Sequence, residues 1–526
     1  MKLESTLAMA RRVGRGLLLA FLLAVCCLAQ SNPPGDPAAQ LPAAERLLAQ
    51  GKLKDAEAAV TDLLKQNDRL GPAYELLGRI CDAQQRYHDA EKAYRRAIEL
   101  EPQRATPHNS LGISLAKRGE AAKAIQEFEA ALAVEPHNLA ALSNLGTLLI
   151  QQKDYAAAIK HLELARTLKP NDPGVLLGLA SAYGATQQSA KLISVVEPLS
   201  NLPSLPTRVR LLLGLLLEEN GAYAEAAAQF EQAAPAESTN AELFLDLGIA
   251  YSHLKQYNKA KGAYFRSIDI NSNDARPYVR VGADYISQKN VPTALVWLMR
   301  AVKMNPQLAE ALYLYGMGLE DQQYYQTAQS YLDAYTKLQP NDPKGWLVLG
   351  DAYLNDMQFE KALDSYQKAH TLMPKLPNIC YLIGYTYYVH KDPENAKKYL
   401  AQTLDLDPNY LEAHLRLAEI AYRENRDDAA EKELQFILAR HPQHADASFD
   451  LAKVYIRQQK FDKARTILIE QAQRWPEDPR YHYLLAQVYH GTGKGEEADR
   501  ETELFRSLSN KQNAVHQYIR RYVYVE

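Results

Sequence analysis

The 526-residue chain has only four cysteines, three tryptophans and seven methionines, and its 60 basic residues do not outnumber its 63 acidic ones. Cys26 and Cys27 fall in the first 29 residues, leaving Cys81 and Cys380 far apart in the chain, so the fold is expected to owe nothing to a disulfide. Beyond residue 29 there are 56 basic and 62 acidic residues, a net charge of −6. That balance excludes a strong general attraction to nucleic acid, which needs a concentrated basic face. The apolar run Leu17 to Ala29 has 13 residues, whereas a membrane-spanning helix needs about 20. No Ser/His/Asp or Cys/His grouping stands out. His441 and His444 flank Pro442 in a turn with no third ligand near in sequence. The run His490 to Gly495 is glycine-rich but lacks the spacing of a phosphate-binding loop. The sequence therefore leads us to expect no catalytic residue, no cofactor and no metal.

The amino terminus has its own pattern. Lys2, Arg11, Arg12 and Arg15 precede the apolar run, which ends at Ala29 and is followed by the polar, proline-bearing stretch 30–36. A basic start, a short apolar centre and a small final residue predict a secretory signal peptide over 1–29 and a linker over 30–36. Cys26 follows Leu23, Ala24 and Val25 as a lipoprotein cysteine would, although a smaller residue than Val25 is usual there. The mature chain is expected to be exported, periplasmic or extracellular, without a transmembrane span.

What fills the rest is a period of 34. Small residues recur at Gly78, Gly112, Gly146, Ala180, Gly214, Gly248, Gly282, Gly316, Gly350, Gly384, Ala418, Ala452 and Ala486. A second series stands twelve residues later, from Ala90 and Ala124 to Ala464 and Ala498, broken only by Leu192. Apolar residues between them lie three or four apart, as on one face of a helix. A proline closes most units, among them Pro102, Pro136, Pro170, Pro340, Pro374 and Pro408, and turns the chain back. Each unit thus reads as two helices that bury their shared face on the next unit, and the array as an all-α solenoid.

Trp346, Leu349, Gly350, Tyr353, Ala362, Tyr366, Ala369 and Pro374 stand at the offsets of the 34-residue tetratricopeptide motif, with Tyr366 for the usual Phe. The chain resembles that family, in particular exported proteins of bacterial envelopes. The resemblance implies a right-handed superhelix of about fourteen helix-turn-helix repeats. They start at 37, 71, 105, 139, 173, 207, 241, 275, 309, 343, 377, 411, 445 and 479 and fill 37–512, with 513–526 as a capping segment or tail. The first and fifth repeats diverge most, and the fifth ends in Pro203 and Pro206, so a seam is expected near 198–206. An array of this extent is expected to leave no room for a catalytic domain.

In such arrays repeat positions 2, 5, 9 and 12 face a bound partner. By that resemblance Tyr381, Tyr385 and Tyr388 form one inner stripe, extended by Tyr313 and Tyr422 and then by Phe449 and Tyr483. Aromatic side chains give large contact area at small entropic cost. The expected function is a non-catalytic scaffold that holds a protein or peptide partner in the concave groove. The alternative is an accessory subunit of an enzyme complex in envelope, polysaccharide or pilus assembly. Two subfamily signatures are incomplete. The carboxylate clamp of chaperone-binding relatives finds Arg276 and Arg280 but has Leu211, Leu215 and Asp246 at its other places, and the asparagine ladder of sugar-transferase arms is met only at Asn144.

Overall fold

A computed structural model describes residues 41–202 and 205–522, and every regular element among them is an α-helix. The expected signal peptide with its cysteines and the expected linker, at 1–36, and the tail end 523–526 lie outside the described residues. The chain divides between Val281 and Gly282 into two compact units.

In the first unit, first helices begin at Gly71, Ala105, Leu139, Pro173, Thr207 and Ala241, and each is followed by a second helix. The pair Ala105–Lys117 and Ala121–Val134 is representative. The turn inside a pair is set by one residue in the left-handed region. These residues recur every 34 positions, as Gly51, Gln85, Gly119, Lys153, Gln187, Gly221 and Lys255 in this unit. The Gln85 amide bonds to the Asp82 carbonyl at 3.0 Å and the Arg86 amide to the Cys81 carbonyl at 2.9 Å. That is a Schellman termination, which satisfies carbonyls a helix end would otherwise leave open. The prolines that close the repeats, such as Pro102 and Pro136, sit in the turns between pairs.

The periodic small residues are packing residues. Ala90, Ala124, Ala158, Ala226 and Ala260 have no exposed surface, and neither has Leu192, which replaces the alanine of repeat five. A Cβ on Gly78 would fall 2.5 Å from the Tyr94 ring, and one on Gly112 would fall 2.6 Å from Phe128. Gly214 and Gly248 stand in the same relation to Phe230 and Tyr264. Repeat position 8 therefore makes room for the side chain at position 24 of the same repeat. Near the fifth repeat's end, Arg210 donates to the Ser200 carbonyl at 3.3 Å and Gln229 to the Ser200 hydroxyl at 2.7 Å. Residues 203 and 204 of the junction singled out above lie outside the described residues.

The second unit repeats the plan with first helices from Ala309, Pro343, Pro377, Leu411, Ala445 and Pro479. Gly350 fits against Tyr366 and Gly384 against Leu400, while Ala418, Leu434, Ala452 and Leu468, at the same positions of the twelfth and thirteenth repeats, are buried in one core cluster. All five aromatic residues at position 24, in both units, have glycine at position 8. The last helix runs from Gly495 to Tyr522, so 513–522 continues the second helix of the last repeat. Gly493, in the glycine-rich run His490 to Gly495, supplies the positive φ of 74° that this turn requires. Cys81 and Cys380 are buried free thiols. Among the described residues no helix is long and apolar enough to cross a membrane.

Candidate functional site

The helix Pro377–Val389 buries Ile379, Cys380, Ile383, Gly384 and Thr386. Its half-buried face carries Tyr381, Tyr385 and Tyr388, spaced four and three apart. The three rings form a stack along the helix, with centroids 5.9 Å and then 6.3 Å apart and planes inclined by 18° and 25°. Tyr410, at the end of the same repeat, lies 5.1 Å from Tyr381 and donates to the Asn378 side chain at 2.9 Å. Burial raises the Tyr381 phenol above its ordinary pKa. Burial and the Glu419 carboxylate push Tyr388 up to about 12, so both carry neutral hydroxyls at physiological pH.

The next first helix, Leu411–Arg423, lays cations over this stripe. The Arg416 guanidinium is 5.6 Å from the Tyr385 centroid and 5.7 Å from that of Tyr388, and it donates to both Glu419 oxygens at 2.7 and 2.6 Å. Burial works against its charge. Glu419 and the Tyr381 hydroxyl more than offset that and leave its pKa above the usual arginine value. Arg423 lies 4.8 Å over Tyr388 and donates to its hydroxyl at 2.7 Å.

The pattern returns one repeat on. Arg457 lies 3.7 Å over Tyr422, donates to the Tyr422 carbonyl at 2.7 Å and pairs with Asp427. Lys453 lies 4.8 Å over Tyr422 and 5.5 Å over Phe449, and pairs with Asp450 at 2.8 Å. Arg480 follows at 5.3 Å over Phe449, held by Asp478. Burial outweighs Lys453 and raises the Asp450 carboxyl above its ordinary pKa. Between these side chains opens a recess of about 190 Å³ lined by Tyr388, Glu419, Tyr422, Arg423, Asp450 and Lys453. Cations over ring faces, partly desolvated, make a stiff wall of alternating aromatic and charged groups.

The opposite face of the Leu411–Arg423 helix is pinned by the buried His414. Its Nδ1 is 2.5 Å from Glu433, its Nε2 is 3.1 Å from the Pro408 carbonyl, and its ring lies 4.0 Å from Phe436. His108 with Glu127 and His482 with Glu501 repeat this pair at 2.8 and 2.6 Å, in the same repeat positions.

Of the residues the sequence singled out, Tyr381, Tyr385 and Tyr388 come together, and Tyr422 lines the same recess as Tyr388. Tyr313 has its ring contact elsewhere, 5.1 Å from Tyr335 of its own repeat. Phe449 shares Lys453 with Tyr422, whereas Tyr483 packs at 5.3 Å on Phe505. The cations were missed in the sequence because only aromatic residues were sought there: Lys453 and Arg480 stand at inner positions 9 and 2, whereas Arg416, Arg423 and Arg457 occupy positions 6 and 13. A signal for two of them exists: Arg423 and Arg457 each follow, by 35 residues, the tyrosine they cover. Arg276, one half-match to the chaperone clamp, is occupied by Asp274 at 2.6 Å and Glu242 at 2.7 Å. Asn144 donates to Asn109 at 3.0 Å inside the core of the first unit. His444 caps the helix Ala445–Arg457 by accepting from the Ala447 amide at 3.3 Å. Among the described residues no group of three His, Cys, Asp or Glu side chains could hold a metal ion.

Residues 41–107 and 109–173 match the model of the tetratricopeptide repeat. Residues 299–517 match that of the C-terminal domain of cilia and flagella-associated protein 70. No curated protein matches the chain. Among solved structures it is similar to MamA from Desulfovibrio magneticus RS-1, at 22% identity and a TM-score of 0.31 over 32% of this chain and 96% of that one. It is also similar to YrrB, described as a TPR protein with an unusual peptide-binding site, at 20% identity and 0.34 over 36% and 96%.

Proposed function

The chain is an array of tetratricopeptide repeats, and from that premise we propose that it is a non-catalytic scaffold whose carboxy-terminal unit binds a segment of a partner protein. The observation that carries this reading is the half-buried tyrosine stack of Tyr381, Tyr385 and Tyr388 beside the cation-covered recess. Rigid rings with hydroxyl tips can hold apolar side chains and hydrogen-bond a backbone at once, the usual chemistry of binding hot spots. The bound segment lies along the faces of the first helices, and Tyr422 and Phe449 continue its path. Tyr313 marks where a longer segment would reach the ninth repeat. We read residues 1–29 as an export signal, which places this binding outside the cytoplasm; sequencing the amino terminus of the mature protein checks it.

Affinity capture with the full mature chain identifies the partner, and a chain carrying Tyr381→Ala, Tyr385→Ala and Tyr388→Ala then tests the site. The reading expects capture to be lost, with some fall in melting temperature, because Tyr381 and Tyr388 also pack against the core around Ala396 and Leu400. Tyr385→Ala alone, whose ring lies outside that cluster, should weaken capture with little change in melting temperature. Undiminished capture by the triple variant refutes it.

A further inference from the structure

The wall described above is rich in charge, yet almost all of that charge is spent internally. Arg416 is taken by Glu419 at 2.6 Å, Lys453 by Asp450 at 2.8 Å, Arg457 by Asp427 and Arg480 by Asp478 at 2.8 Å. Among the described residues of this wall, Arg423 alone has no carboxylate partner. Its contacts are the hydroxyl of Tyr388 at 2.7 Å and the face of that ring. It is exposed, at the mouth of the recess it helps to line. The two carboxylates at the recess, Glu419 and Asp450, are each neutralised by a neighbour, so one positive charge is left over.

Resting on the scaffold reading, we infer that Arg423 is the specificity anchor of the site and receives an aspartate or glutamate side chain from within the bound segment. A guanidinium held flat on a ring is oriented before the ligand arrives, so its remaining N–H groups can meet a carboxylate in a two-pronged hydrogen bond. The carboxylate belongs to an internal residue, and not to a chain end, because aromatic surface continues on both sides of Arg423. Tyr381, Tyr385 and Tyr388 lie on one side, and Tyr422 and Phe449 on the other. A segment crossing the anchor therefore has apolar or aromatic residues before and after its acidic one. Tyr388 acts through Arg423 as a positioning residue, holding it by ring face and hydroxyl together.

The test uses the full chain and a displayed library of random twelve-residue peptides as the probe. Peptides enriched on the native chain are expected to carry an internal Asp or Glu flanked by aromatic or aliphatic residues. Arg423→Gln should weaken the same peptides about ten-fold or more, the loss of a charge-assisted bidentate contact, while Arg423→Lys restores part of the affinity. Arg423→Glu should shift selection toward Lys and Arg, and amidating the peptide carboxyl terminus should change nothing. The anchor is overturned if the peptides depend on Tyr385 but lack an acidic residue, or bind Arg423→Gln undiminished. Loss of binding on amidation overturns the internal position. If no selected peptide depends on Tyr385 or Tyr388, the scaffold reading itself fails, and this inference with it.

Discussion

The contact between repeat positions 8 and 24 yields a double-mutant cycle with a definite sign. In Gly112→Ala the new Cβ would lie 2.6, 2.7 and 3.0 Å from three carbons of the Phe128 ring. That is well inside van der Waals contact, and Phe128, at 1% exposure, has no free space to move into. Overpacking of this kind costs about 1–3 kcal/mol, and the shortness of the contact favours the upper half of that range. The exchange also returns about 1 kcal/mol of helix propensity, leaving a net loss of about 1–2 kcal/mol. Phe128→Leu alone leaves a small void under Gly112 and costs about 1 kcal/mol. The double variant places at positions 8 and 24 the residues that the twelfth repeat carries there, Ala418 and Leu434, both 1% exposed in one core cluster. It should therefore lie within about 1 kcal/mol of the native chain, a favourable coupling of about 2 kcal/mol, in the upper part of the range for contacting residues. Long arrays lose cooperativity, so the quantity to read is local: hydrogen exchange of the amides in Ala105–Lys117 and Ala121–Val134, followed through a urea series. Strictly additive effects, or a Gly112→Ala chain as protected as the native one, would refute the reasoning.

Met357 holds a φ of 59° with 71% of its surface exposed, so its side chain contributes strain and little packing. Met357→Gly should raise local stability by up to about 1 kcal/mol, the left-handed cost less glycine's entropy, while Met357→Ala should raise it little; thermal melting and local exchange distinguish them. His414 gives a pH effect of known sign. Burial alone would lower its pKa, but Glu433 and the Pro408 carbonyl more than offset burial, and Arg440, to raise it. The folded chain thus holds this proton more tightly than the unfolded one. Its stabilisation is complete below about pH 6.5 and is lost as pH rises through the raised folded value. The melting temperature should therefore fall between about pH 6.5 and 8 more steeply in the native chain than in His414→Gln. Equal slopes in the two would contradict the pairing.

The fold was legible because packing leaves a trace in composition. Close approach of two helices admits only glycine or alanine at position 8 and mostly alanine at position 20, and every repeat writes that constraint again. The turn conformation was not legible: Gln85, Lys153, Met357 and Asn425 share one repeat position and one left-handed conformation with Gly119 and Gly221, but their side chains carry no mark of it. The tyrosine stripe could be read from one repeat, since it needs only the helical spacing of Tyr381, Tyr385 and Tyr388. Its cations could not. They reach the rings from the following repeat, and Arg423 resembles any surface arginine until its neighbour's Tyr388 is seen beneath it.

The central claim, that a partner docks on this wall, is tested most directly by hydroxyl-radical footprinting of tyrosines in the full chain, with and without a saturating bound segment. The account predicts that Tyr385, Tyr388 and Tyr422 become protected together, while the 61%-exposed Tyr324 reacts as before. Protection of Tyr324 with these three reacting unchanged, or protection confined to the amino-terminal unit, would contradict it.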